Sequence, residues 1–255
     1  MNTKITVLLA ALLSTSAMAN NNHNDQSCNI NLTQDVRVTP AFVQVLDGEK
    51  SLYKITDDSK LYAQGKLIHL NSEQQAIVDE YRQLMQELAP KVAHIVSQGL
   101  DIAKDAVGTV FTELFGDDVE LKSKVEAIVN KFEQRIAPMM NDEQGEYFLS
   151  KELANQDTEQ LTKEIEQDVE ELITQSSGHL MVLIGKMLLK GEDGMRDLEQ
   201  KMEAFGESME LRGNDLEKDA EMLCDQMKQL DALETKMQNK IPEISDVDLL
   251  HTESI

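Results

Sequence analysis

MRDLEQKMEAFGESMELRGNDLEKDAEMLCDQMKQLDALETKMQNK, residues 195–240, carries a seven-residue repeat. Met195, Met202, Met209, Leu216, Leu223, Leu230 and Met237 occupy every seventh position, and all are apolar. Leu198, Phe205, Ala220, Met227 and Leu233 follow three or four residues behind members of that series. Most residues between them are Glu, Asp, Lys, Gln or Arg. Such a pattern marks a helix that lays one narrow stripe against another helix. At 1.5 Å per residue it reaches about 65–70 Å. Met195, Met202, Met209, Met222, Met227 and Met237 invite reading as an adaptable binding surface, but their regular spacing fits core packing better.

The stretch before it carries a second stripe at Leu161, Ile165, Val169, Leu172, Ser176, Leu180, Leu183 and Met187. Its steps of three and four residues repeat with an eleven-residue period. Gly191-Glu192-Asp193-Gly194 separates the two stripes. Two long helices joined by four residues lie antiparallel, so the expectation is a helical hairpin, 157–190 against 195–240. Pairing of the stripes between two copies of the chain stays open, and with it a dimer. Residues 180–189 are almost wholly apolar. They are too few to span a bilayer, and read as a buried helix end or, alternatively, as the lining of an apolar ligand site.

Outward from the hairpin, residues 72–138 read as three helices. Ser72 with Gln75 makes a capping box, Pro90 opens a new helix, and Asp117 with Glu120 caps a third. Gly99 and Gly108 would permit close approach of a neighbouring helix. Residues 139–156 are irregular, with a short apolar plug at Tyr147-Phe148-Leu149. Between Cys28 and Leu70 the period switches to two, with turn signals at Asp47-Gly48, Asp57-Asp58-Ser59 and Gln64-Gly65. That describes an antiparallel meander of about five strands, the last holding His69. Such a sheet needs a cover for its apolar face. The fold class is therefore α+β, predominantly α: a small N-terminal β-meander packed on a helical bundle. The divisions are 1–19, 20–71 with a polar lead-in before the strands, and 72–255 ending in an acidic tail from Glu243.

Residues 1–19 have the form of a signal peptide, with Lys4, an apolar run from Ile5 to Leu13, and Ala17-Met18-Ala19 as the cleavage site. Cleavage after Ala19 and export to a periplasm are expected, with no transmembrane segment in the mature chain. The cysteines are Cys28 and Cys224. In an oxidising compartment they are expected to pair as a disulfide, the alternatives being two buried thiols or a bridge between chains.

The formal net charge is -23, from 47 acidic and 24 basic residues. Such a charge repels phosphate backbones and argues against nucleic acid as a partner. No nucleophile elbow, zinc-protease motif, P-loop or dinucleotide turn is present. No catalytic, cofactor-binding or metal-binding residue is assigned. His23, His94, His179 and His251 read as lone histidines. The leading expectation is an uncertain but non-enzymatic binding or chaperone-like protein, whose partner is an envelope protein with a basic face. A carrier of a lipid or apolar ligand is the alternative, and an envelope-acting enzyme of unrecognised type the second.

Cys28, the segment Leu-Tyr-Ala-Gln-Gly-Lys-Leu-Ile-His-Leu from Leu61 to Leu70, Gln75 through Tyr81 to Pro90, Gly178-His179-Leu180 with Gly185, and Leu223-Cys224 resemble the YggN-like family of proteobacterial exported proteins. The resemblance implies export and this architecture. It implies no activity and assigns no catalytic or binding residue.

Overall fold

The structure is a computed structural model. It describes residues 29–115, 119–136, 140–141, 145–154 and 177–253, with isolated positions between 163 and 174. Several helical positions, most of those from 180 to 195 among them, are described in backbone only. Residues 1–19, Cys28 and most of the eleven-residue stripe lie outside the described residues.

The fold is predominantly helical, with a small antiparallel sheet built mainly from the N-terminal region. Strands β1 (Asn29–Leu32), β2 (Asp35–Val38), β3 (Phe42–Asp47), β4 (Lys50–Thr56), β5 (Leu61–Ala63) and β6 (Lys66–Leu67) come first. Then come α1 (Ser72–Phe115), α2 (Val119–Ile136), β7 (Met140–Asn141), β8 (Glu146–Leu149) and a single turn, α3 (Lys151–Ala154). The chain continues as α4 (Ser177–Lys240), a 3-10 turn at Pro242–Ile244, and β9 (Leu250–Glu253). The main sheet has the order β6-β5-β4-β3-β2-β8-β7, and β1 pairs with β9 in a separate ribbon.

The meander forms because its turns suit its residues. Gln64 and Gly65 both take positive φ, the conformation of a tight two-residue hairpin turn. Alternation then sends Val36, Val38, Val43, Val45, Tyr53 and Ile55 to the buried face. There they meet Val78, Tyr81, Met85 and Leu88 of α1 and Leu230, Leu233 and Met237 of α4. His69 falls outside the strands, exposed in the link to α1. The plug at Tyr147-Phe148-Leu149 is β8, paired with β2.

Helix α1 starts on a capping box one residue earlier than expected. Asn71 Oδ1 accepts the Gln74 N–H at 3.0 Å, and Gln74 Oε1 accepts the Asn71 N–H at 2.9 Å. Pro90 does not begin a new helix; α1 runs through it. A proline there removes one helical hydrogen bond, and the tertiary packing of Leu88, Ala89 and Ala93 on the core offsets that loss.

The expected hairpin is corrected in the same way. Residues 191–194 are not a turn but lie inside α4, which is continuous from Ser177 to Lys240. Each glycine costs only about 1 kcal/mol in a helix interior, and Arg196 pairs with Asp193 one turn away at 2.6 Å. Residues 177–190 therefore cannot fold back on 195–240. The partner of the heptad stripe is α1, antiparallel to it. Lys240 pairs with Glu73, Lys91 reaches Gln226, and Arg212 pairs with Asp105, so contacts run in opposite directions along the two helices. The stripe is buried at Leu230 and Met237 and only half-buried at Met202, Met209 and Leu216, where it lies beyond the sheet. Gly99 faces Leu216, whereas Gly108 has no neighbour among the described residues where a side chain would project. Helix α2 joins through a Lys104–Glu133 ion pair.

The acidic tail is also corrected. Ile241, Ile244, Leu249 and Leu250 are buried in the core, and β9 aligns Leu250 opposite Leu32. Four apolar residues within ten positions outweigh the local charge, because each gains about 1.5–3 kcal/mol on burial.

The Cys28–Cys224 bridge is not part of the described fold, since Cys28 lies outside the described residues. Cys224 is buried on α4, at 5% exposure, and is not a free thiol.

Candidate functional site: a groove beside Pro90

Among the described residues, one polar cluster is closed in the core and a large groove opens to solvent; a smaller groove of about 360 Å³, lined by Glu80, Glu87 and Lys236 among others, lies along the same two helices. The closed one surrounds Glu234. The heptad phase of α4 turns this residue inward between Leu230 and Met237, leaving it 2% exposed. Its Oε1 accepts the Leu249 N–H at 2.9 Å and its Oε2 the Leu250 N–H at 3.1 Å. The hydroxyls of Tyr53 on β4 and Tyr81 on α1 are hydrogen-bonded at 3.0 Å, and the Glu234 charge acts on both. Burial pushes the Glu234 carboxyl up to about 8, and the Asp248 and Asp231 charges act in the same direction. The two backbone N–H bonds pull the other way and lose to desolvation. Burial likewise raises both tyrosines well above their ordinary range.

A perturbed carboxyl in a cleft would be a catalytic candidate. Glu234, Tyr53 and Tyr81 are sealed in the core instead. The gap nearest the core is apolar, about 20 Å³, and lined by Leu32, Met85, Met227 and Leu249 among others. That is room for about one water. Glu234 is a latch that satisfies the backbone leading into β9. Its heptad flank hides it in the sequence as one more acid on a charged helix; a signal was available only in its position between two stripe residues.

The open place is a groove of about 690 Å³ between α1 and α4. Pro90, Lys91, His94 and Ile95 form one wall; Asp219, Met222, Leu223, Asp225 and Gln226 form the other. Lys91 Nζ donates to Gln226 Oε1 across it at 2.9 Å. Met222 is 61% exposed, while Ile95 and Leu223 are half-buried. The result is an apolar floor rimmed by Asp219, by Asp225, which has Lys228 at 3.6 Å, and by Lys91; the two carboxylates suit it to holding an apolar side chain next to a cation.

The methionines of 195–240 thus divide. Met227 and Met237 are core, Met202 and Met209 are half-buried on α4, and Met222 is groove. The side chain of Met195 lies outside the described residues. Of 180–189, Met181 is 78% exposed; the other apolar side chains there lie outside the described residues. His94 belongs to the groove, and His251 lies exposed on β9. The side chain of His179 and all of His23 are outside the described residues. Among the described residues no group of three His, Cys, Asp or Glu side chains is placed to hold a metal ion. No described helix is long and apolar enough to cross a membrane.

Comparison with known proteins agrees with the sequence resemblance. The "Uncharacterized protein YggN" of Escherichia coli strain K12 is 27% identical over 135 residues, which is 53% of this chain and 54% of that protein. The protein of the same name from Escherichia coli O157:H7 matches to the same extent. The chain thus spans about half the length of the curated relatives it matches. No solved structure matches it. A family model described as "Protein of unknown function (DUF2884)" matches residues 28–250, and the chain belongs to that family.

Proposed function

We propose that this protein is a non-enzymatic binding protein of the bacterial periplasm, chaperone-like in that it holds an exposed segment of another polypeptide. The reading rests on the groove beside Pro90. Its occupant is a peptide segment in which an apolar side chain is flanked by Lys or Arg. The apolar floor takes the anchor, and Asp219 and Asp225 take the cations. The net charge of -23 adds long-range attraction for a basic partner. What opposes an enzymatic reading is that the strongly perturbed ionisable groups are sealed from substrate.

Fluorescence anisotropy with a synthetic peptide, a Leu or Met flanked by two lysines on each side, tests the groove. Saturable binding that weakens as salt rises is expected. The double variant Asp219→Lys with Asp225→Lys should weaken it at least about tenfold. Equal binding of a peptide with glutamates in place of the lysines would sink the proposal.

Export rests on the form of residues 1–19. Mass spectrometry of the protein recovered from the periplasmic fraction should give a chain beginning at Asn20. An intact chain starting at Met1, found in the cytoplasm, would overturn that part of the reading.

A further inference from the structure

The groove beside Pro90 continues along the helix pair. The smaller groove of about 360 Å³ lies farther along, between Glu80, Leu84 and Glu87 of α1 and Leu233 and Lys236 of α4. The two helices line both grooves from matching positions. On α4, Asp219 and Gln226 belong to the larger groove and Leu233 to the smaller, each seven residues after the last. Met222, Gln229 and Lys236 repeat that spacing. On α1, Glu80 and Glu87 line the smaller groove and His94 the larger, again seven apart. Residues seven apart drift by only about 20° around a helix, so both grooves open on the same side of the pair and form one seam. Its apolar points are spaced alike on the two helices. Leu84 and Ile95 are eleven residues apart, and so are Met222 and Leu233. Because the helices are antiparallel, Leu84 and Leu233 mark one end of the seam, and Ile95 and Met222 the other. The interval between those ends is about 16 Å at 1.5 Å per residue. Between them the seam is polar, bridged by the Lys91–Gln226 hydrogen bond at 2.9 Å.

We propose, resting on the binding reading above, that the occupant of this seam is an amphipathic helix of a partner protein. It carries apolar anchors eleven residues apart, small residues between them over the Lys91–Gln226 bridge, and lysines or arginines on its flanks. The interval selects a helix. Eleven residues make three helical turns, so side chains at i and i+11 share a face to within about 20°. An extended segment covers the same 16 Å in about five residues at about 3.3 Å each, and an odd interval sends its two side chains to opposite faces. An amphipathic helix laid in an apolar groove is read by anchors on one face, and the seam offers two such sites in line. Charge selects the flanks. Glu80, Glu87, Asp219 and Asp225 line the seam against Lys91 and Lys236, so carboxylates predominate along it. A basic helix gains from that pattern both in steering and in fit. A second copy of this chain is disfavoured as the occupant, because acids outnumber bases in it 47 to 24.

The probe is an eighteen-residue peptide of alanine and lysine with leucines at its fourth and fifteenth positions. Its binding to the whole chain is followed by fluorescence anisotropy, and its bound conformation by carbonyl carbon shifts of the labelled peptide. Saturable binding in a helical form is expected. Moving the second leucine to the thirteenth position turns it to the opposite face of the helix, and should weaken binding at least about tenfold. Glu80→Lys with Glu87→Lys, both exposed positions, should weaken the long peptide by a similar factor. The same variant should leave the short lysine-flanked peptide of the Pro90 groove unchanged, which separates the seam from the single groove. Equal binding of the two long peptides, an extended bound form, or no effect of the Glu80 and Glu87 changes overturns the helix and leaves the single-anchor groove standing. If the short peptide fails and the long one binds as expected, the single-anchor reading falls and the seam is supported. Failure of both peptides overturns both. Light scattering that gives a stable dimer, undisturbed by the long peptide, assigns the seam to a second copy and also overturns the proposal.

Discussion

Truncation after Lys240 is expected to abolish cooperative folding of the sheet and the helix ends that cover it. The deletion removes Ile241, Ile244, Leu249 and Leu250, all buried. At about 1.5–3 kcal/mol for each buried side chain, the loss is roughly 6–12 kcal/mol. That is comparable with the whole stability of an ordinary domain. The deletion also strips β1 of its pairing with β9 and leaves the Glu234 carboxyl without its two backbone donors. Urea unfolding followed by near-UV circular dichroism and Tyr fluorescence checks this. A truncated chain with a transition midpoint near that of the full chain would show that the segment is the loose acidic tail its charge suggests. Truncation after Glu253, which keeps β9 whole, should change little.

Glu234→Ala comes next in size, with an expected cost of about 2–6 kcal/mol. It leaves the Leu249 and Leu250 N–H groups buried without an acceptor, each at about 1–3 kcal/mol. The native carboxyl also gives stability a pH dependence whose sign follows from its raised pKa. Folded, Glu234 titrates at about 8, against an ordinary value of 4.5. Below 4.5 it is neutral in both states, and its contribution is fully present. Between 4.5 and 8 the folded chain keeps a proton that the unfolded chain releases, so stability falls as pH rises. Above 8 no further loss comes from this group. The slope between those limits is at most about 1.4 kcal/mol per pH unit. Glu234→Gln should lack that component. The difference between native and Gln curves, from urea melts at pH 5, 6.5 and 8, is the measurement; parallel curves would mean the carboxyl does not titrate in this window. Comparing the two chains cancels the general easing of acidic repulsion at low pH, which stabilises both.

These two effects meet at one structural point, the return of the chain end into the core. Nothing in the local pattern of 243–255 distinguishes it from a solvated tail. Its apolar residues are few and interrupted by acids, and their burial depends on β1, more than 200 residues away, and on an acceptor on α4. The same holds for Tyr53, Tyr81 and Glu234. A tyrosine at a strand's inward position and another on a helix are common, and only packing brings their hydroxyls to 3.0 Å.

The seven-residue spacing of 195–240, the two-residue spacing between 29 and 63 and the turn at Gln64-Gly65 determine helix, strands and hairpin by themselves, because each is set by backbone geometry and local side-chain direction. The excess of acid over base likewise follows from composition alone. Tertiary structure decided the partners. An apolar stripe states that a face is buried without saying against what, and α1 supplied more apolar surface to 195–240 than a neighbour across 191–194 could, since those residues continue the helix. Pro90 and the glycines of α4 interrupt a helix only when packing does not hold it together. The groove beside Pro90 is likewise a product of assembly: it requires residues of α1 and α4, more than 120 positions apart, to lie side by side, and that relation is not written in any local stretch of the chain.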